Sequence, residues 1–242
     1  SEKVGNGMVK RMNWKTALFL LAAAMSLSAC SGKSSTEESG TQQQNLSETA
    51  YRDTIHIAVL QQSPSLDLHK NSSVIARQMC DGTVWEKLVT LNGQAEAVPE
   101  LCESFEISED GTEITFVLRK GVKFHDGSEM TAEDVVASMN RWLESFSSAN
   151  AMVGDARFEK VDDSTVRIKA DSSLILLPSM IAGAAQPASI TTAAACANED
   201  SNGFLKDYIG TGPYRFAEWR QDQYVRLERF DDYVPYGTEG EE

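Results

Sequence analysis

Four cysteines and three histidines are the side chains of this 242-residue sequence best able to make or break bonds. Their spacing gives them little to do together. His56, His69 and His125 form no His-x-x-x-His pair and no Cys-x-x-Cys occurs, so no zinc site is spelled out and no metal or cofactor is expected. A hydrolase built on a serine nucleophile would show Gly-x-Ser-x-Gly, which is also missing from the sequence. His125-Asp126 is an adjacent acid–base pair, but such a pair needs a nucleophile or metal within reach, and His125-Asp126-Gly127 reads as a solvated turn. No catalytic residue is assigned, and an enzyme is not expected.

Cys30 differs because of what precedes it. Lys10, Arg11 and Lys15 come before the apolar run Thr16 to Met25, and Leu27-Ser28-Ala29-Cys30 follows. That order is the order of a secretory leader, starting at Met8 or Met12. The run is too short for a permanent membrane span, which takes about twenty residues across a ~30 Å hydrocarbon core. Leu-Ser-Ala-Cys resembles the bacterial lipobox, which implies cleavage before Cys30 and acylation of its sulfur. At ~0.8 kcal/mol per buried CH₂, two or more chains on that cysteine would hold the protein to a membrane. Residues 31–50 are rich in Ser, Thr, Gln and Glu and cannot bury enough apolar surface to offset their ordering entropy, so they read as a solvated tether.

The net charge is −14, and loss of the leader, with Lys3, Lys10, Arg11 and Lys15 against Glu2, would make the remainder more acidic. Phosphate binding needs clustered Lys and Arg, so a nucleic-acid partner is not expected. The acidity reads as solubility rather than ligand steering. Cys80, Cys102 and Cys196 cannot all pair within one chain, and the sequence leaves open which pair, if any, is a disulfide.

The elements that would position any site start near Tyr51. Thr54 to Leu60 reads as a short apolar strand, broken by Gln61-Gln62-Ser63-Pro64-Ser65. Ile75, Met79, Val84 and Leu88 fit a helix interrupted near Asp81-Gly82. Residues 104–107 and 112–118 alternate around the turn Ser108-Glu109-Asp110-Gly111, which predicts a β-hairpin. Thr131 precedes Val135, Met139, Trp142 and Leu143 at helical spacing, so a helix is expected to start at Thr131. A strand is expected at Thr165–Lys169, a buried helix or loop over Leu174–Ala185, and a second hairpin from Tyr214 to Phe230.

Two stretches carry a family resemblance. Residues 118–127, Leu-Arg-Lys-Gly-Val-Lys-Phe-His-Asp-Gly, run into Thr131-Ala132-Glu133-Asp134-Val135, and Gly210-Thr211-Gly212-Pro213-Tyr214 leads on to Leu227-Glu228-Arg229-Phe230-Asp231-Asp232-Tyr233. Together with Ser65-Leu66-Asp67 and Val98-Pro99-Glu100-Leu101, these resemble the extracellular solute-binding proteins of family 5, the peptide- and nickel-binding components of ABC importers. The resemblance implies an α/β fold of the periplasmic-binding-protein type (type II, cluster C), with a first lobe, an extra α+β domain, and a second lobe that this sequence does not contain. The implied division is 1–29 leader, 30–50 lipidated cysteine and tether, 51–90 first part of lobe I, 91–185 extra domain, and 186–242 return to lobe I.

Function follows from the same resemblance. It implies capture of peptides outside the plasma membrane and delivery to ABC permease subunits by a monomer anchored through Cys30. In the family the loop after the first strand faces the ligand cleft, which makes Gln61, Gln62 and Ser63 the candidate ligand contacts. Trp142 is a weaker candidate, because an aromatic at helical spacing is more often core. Alternative ligands are a nickel chelate, haem, an oligosaccharide or a signalling peptide. The alternative from another class is a lipid-anchored surface hydrolase, and a transcription regulator is disfavoured by the leader.

Overall fold

The computed structural model describes residues 54–235. The expected leader, the Cys30 anchor and the tether lie outside the described residues. The chain divides into the units Ser1–Ile55 and His56–Glu242, and the fold below is that of the second.

The first helix, α1 (Val74–Cys80), is started by Ser73, whose side chain accepts from the Ala76 amide. It stops where the Asp81-Gly82 break was expected, and it does not resume. Gly82 takes φ +72°, a left-handed conformation that side chains resist, and the amides of Val84 and Trp85 turn back onto the Cys80 carbonyl. Thr54–Leu60 is a second correction, for it forms no strand and pairs with no sheet among the described residues. Backbone groups make a strand only when a neighbour pairs with them, and here Ile57 and Leu60 stay exposed instead.

Strands β1 (Val89–Leu91) and β2 (Ala97–Pro99) form a small hairpin. Beyond it lies the main sheet, in which β3 (Cys102–Ile107) and β4 (Glu113–Leu118) form the expected first hairpin. After helices α2 (Ala132–Ser145) and α3 (Ser147–Val153) come β5 (Phe158–Asp162) and β6 (Thr165–Lys169), giving an antiparallel sheet of order β3-β4-β6-β5. Its register sets Phe105 opposite Phe116 and Phe158 opposite Ile168, and ring centroids 6.0 and 6.1 Å apart line one face with Phe105, Phe116 and Phe158. Helix α2 covers that sheet with Val135, Met139, Trp142 and Leu143, all fully buried.

Thr131 begins α2 as expected. Its Oγ1 accepts from the Asp134 amide while the Asp134 carboxylate accepts from the Thr131 amide, a reciprocal cap that contributes about 1 kcal/mol. The apolar stretch after β6 yields only the short α4 (Leu177–Ala182), and α5 (Ala193–Ala197) follows. Strands β7 (Tyr214–Arg220) and β8 (Tyr224–Arg229) close the chain as the expected second hairpin.

Two apolar clusters result among the described residues. The larger runs from Leu88 to Ile190 around the main sheet; the smaller joins Leu66, Leu68, Ala76, Cys80, Val84, Trp85 and Leu205. The chain crosses from one to the other between Trp85 and Leu88.

Candidate ligand-binding groove

The loop after residue 60 is tied by hydrogen bonds at one end and exposed at the other. Ser63 is buried, its hydroxyl donating to the Ser65 carbonyl at 2.7 Å and accepting from Asn71 Nδ2 at 2.8 Å. Gln61 and Gln62 are exposed just before it. The Gln62 Oε1 accepts from the Asp222 amide at 2.6 Å, at the apex of the β7–β8 turn, where Asp222 holds φ +60°. A groove of about 280 Å³ opens between this loop and the hairpin, with Met79, Trp219, Tyr224 and Val225 opposite Gln61, Gln62 and Ser63.

The structure therefore brings together three of the four candidate residues. Trp142 stands apart from them. Its ring is fully buried beneath the main sheet and its indole N–H donates to the Gln186 carbonyl at 2.8 Å, so it offers no surface to a ligand in this conformation. Trp219 and Tyr224 were missed, although an aromatic on an exposed two-stranded hairpin is a recognisable signal. The Arg220 guanidinium lies 5.6 Å from the centre of the Tyr224 ring and donates to Glu218 at 2.8 Å.

A charged network holds the loop from behind. Arg141 of α2 reaches Asp67 with Nη1 to Oδ1 at 3.0 Å and Nη2 to Oδ2 at 2.6 Å, and its Nε reaches Glu199 at 2.8 Å. The amides of His69 and Leu205 also donate to Asp67, both at 3.0 Å. Burial opposes the Asp67 charge, but the hydrogen-bonded Arg141 guanidinium and the Leu205 amide outweigh it and hold the carboxyl below its usual value. His69 is itself pushed down to about 4 by burial, so it is neutral, and its Nε2 donates to the Ser189 carbonyl at 2.7 Å.

His125 stands in the expected turn, but its ring is half-buried rather than solvated. Its Nδ1 accepts from the Gly210 amide at 3.2 Å, its Nε2 donates to the Gly212 carbonyl at 2.9 Å, and its ring meets Phe230 edge-on. Burial pushes its pKa down. Asp126 does make the turn, accepting from the Ser128 amide at 2.9 Å. The clasp explains the glycines: a Cβ on Gly210 would lie 1.8 Å from the Val84 carbonyl oxygen, and one on Gly212 2.3 Å from that of Thr83. Thus both stretches that carry the family resemblance meet at one structural knot.

Among the described residues no cluster of His, Cys, Asp or Glu could hold a metal ion. Cys80, Cys102 and Cys196 are free thiols, and burial pushes the Cys80 thiol up to about 12. The groove offers amides and aromatic faces rather than a nucleophile with a base. That set suits non-covalent recognition of extended backbone or flat groups.

Comparison with known proteins leads the same way. Heme-binding protein A of Haemophilus influenzae is 32% identical over 92% of this chain and 44% of its own length. In a structure of the periplasmic binding protein AgaA from A. tumefaciens with agropinic acid, 29% identity accompanies a TM-score of 0.63 over 73% of this chain and 35% of that one. The Helicobacter pylori protein DppA, solved with the peptide STSA, gives 26% identity and a TM-score of 0.57 over 72% of this chain and 38% of that one. The chain spans less than half the length of the curated relatives it matches. Its residues 96–241 match the model for the middle part of the bacterial extracellular solute-binding proteins, family 5. With the capped helix, the glycine knot and the fold of these binding proteins in one chain, it belongs to the extracellular solute-binding proteins of family 5.

Proposed function

We propose that this chain supplies one wall of the ligand cleft of a peptide-capturing solute-binding protein, and that Gln61, Gln62, Trp219 and Tyr224 contact the ligand. The observation that carries the reading is the groove, which gathers the loop residues expected to face a cleft and adds two aromatic side chains. Glutamine amides can both donate to and accept from a peptide backbone, and aromatic faces tolerate varied side chains. Ligand would then shift an opening and closing protein toward its closed form, which docks on ABC permease subunits. In this reading residues 51–90 and 186–242 belong to lobe I, residues 91–185 form the extra domain, and a second lobe completes the cleft. The protein acts as a monomer at the extracytoplasmic face of the plasma membrane, held there by acylated Cys30.

Haem is the second reading, favoured by the match to Heme-binding protein A over 92% of the chain. Ligand-dependent melting of the full-length protein separates the two. A mixture of short peptides at a hundred times Kd should add about 2.7 kcal/mol of stability, while haem should add none. A shift with haem and none with peptides would replace the first reading by the second.

A further inference from the structure

Glu86 lies on the crossing between the two cores, after Trp85 and before Leu88. It is buried, with 4% of its surface exposed. Its Oε2 accepts from the Thr211 hydroxyl at 2.8 Å and its Oε1 from the Tyr233 hydroxyl at 3.0 Å. Thr211 belongs to the glycine knot and Tyr233 to the segment after β8. One carboxyl group thus fastens two remote stretches of chain to the crossing, and two neutral hydroxyls replace the water it has lost. The neighbouring cation is spent elsewhere, since Lys87 Nζ meets Asp81 at 2.6 Å. Glu100, whose Oε2 accepts from the Lys87 amide at 2.9 Å, adds a second acid beside it.

We infer that Glu86 is a proton-operated latch: the buried arrangement that ties the Gly210–Pro213 turn and the Tyr233 segment to the crossing is favoured when its carboxyl is protonated. Ionisation favours an opened arrangement in which the carboxylate regains water, although it gives up the Thr211 and Tyr233 bonds that suit its charge. A neutral acid keeps hydrogen-bonding capacity at both oxygens without the cost of a buried charge. Burial first, and Glu100 second, push the carboxyl up to about 7 against the opposing pulls of Thr211, Tyr233 and Lys87. The other titratable groups around it are Asp81 and Lys87 on its own loop, and Arg119, whose Nε donates to the Glu100 carbonyl at 2.6 Å. His125 stands behind Gly210 and Gly212, and Asp231 and Asp232 flank Tyr233, with Asp232 3.5 Å from Lys123.

The sign follows from the raised value. The grip is complete below the ordinary carboxyl value of 4.5 and is lost as pH rises through about 7. Between pH 6 and pH 8 the closed state should weaken about tenfold relative to the open one. The test is hydrogen exchange in the full-length protein, read at the amides of Phe230 and Tyr233, which donate to Pro213 and Phe230. After correction for intrinsic exchange, wild-type protection should fall about tenfold from pH 6 to pH 8, and Glu86→Gln should abolish that slope. Carbon NMR of the wild-type Glu86 carboxyl, which needs no variant to fold, should show a midpoint near 7. A midpoint near 4.5, a flat wild-type profile, or an equal slope in Glu86→Gln would each overturn the latch.

Discussion

Arg141 and Asp67 form a two-pronged ion pair at 3.0 and 2.6 Å across 74 residues of sequence. It joins α2, on the main sheet, to the loop that carries the groove. Removing one partner of a buried pair strands the other charge, which costs about 3–5 kcal/mol. Arg141→Met should therefore destabilise the protein by about that much in urea unfolding, and Arg141→Met with Asp67→Leu by distinctly less. Equal losses in the single and double variants would show that the pair acts only through packing.

His69 predicts a pH dependence. Its folded value of about 4 lies below the ordinary 6.5, so the stability it contributes is present above pH 6.5 and lost as pH falls toward 4. Glu86, with its raised value, has the opposite sign in the overlapping window. The two partly cancel in the wild type, so the comparison must be made between variants. His69→Gln should flatten the loss of melting temperature on acidification from pH 6.5 to pH 4.5, and Glu86→Gln should steepen it.

Gly210→Ala and Gly212→Ala should destabilise by more than about 3 kcal/mol, because each new methyl meets a fixed carbonyl oxygen. Gly93→Ala is the control. A Cβ there has nothing within 4 Å, so its effect should stay within about 0.5 kcal/mol. Thermal unfolding of the three variants checks the contrast.

The two tryptophans separate site from core. Trp142→Ala removes a fully buried ring and should cost about 3–5 kcal/mol of stability. Trp219→Ala removes a groove wall and should lower ligand affinity at least tenfold while unfolding shifts by less than about 1 kcal/mol. Urea unfolding and calorimetric titration together read both quantities.

What could be read in the sequence was local. The capped helix at Thr131 and the two long hairpins announce themselves because the cap, the alternation and the turn residues lie within a few positions of one another. The β1–β2 hairpin carried a signal too, in Asn92-Gly93, and it was overlooked because its strands span three residues each. Thr54–Leu60 had strand composition, but composition does not supply a pairing partner. The candidate site divided in the same way. Gln61 and Gln62 became candidates through the family resemblance of the loop they stand in, whereas Trp219 and Tyr224 join them only through a hairpin more than 150 residues away, tied by Gln62 to Asp222. The roles of Arg141, Glu86 and His125 were equally out of reach, since each depends on a partner more than 70 residues distant.

The most direct measurement is calorimetric titration of short peptides into the full-length protein and its Gln61→Ala, Trp219→Ala and Trp142→Phe variants. The account predicts peptide binding by the wild type, at least tenfold weaker binding in the two groove variants, and wild-type affinity in folded Trp142→Phe. Peptide affinity unchanged by both groove substitutions would contradict the assignment of this groove, and no peptide binding by the wild type would contradict peptide capture.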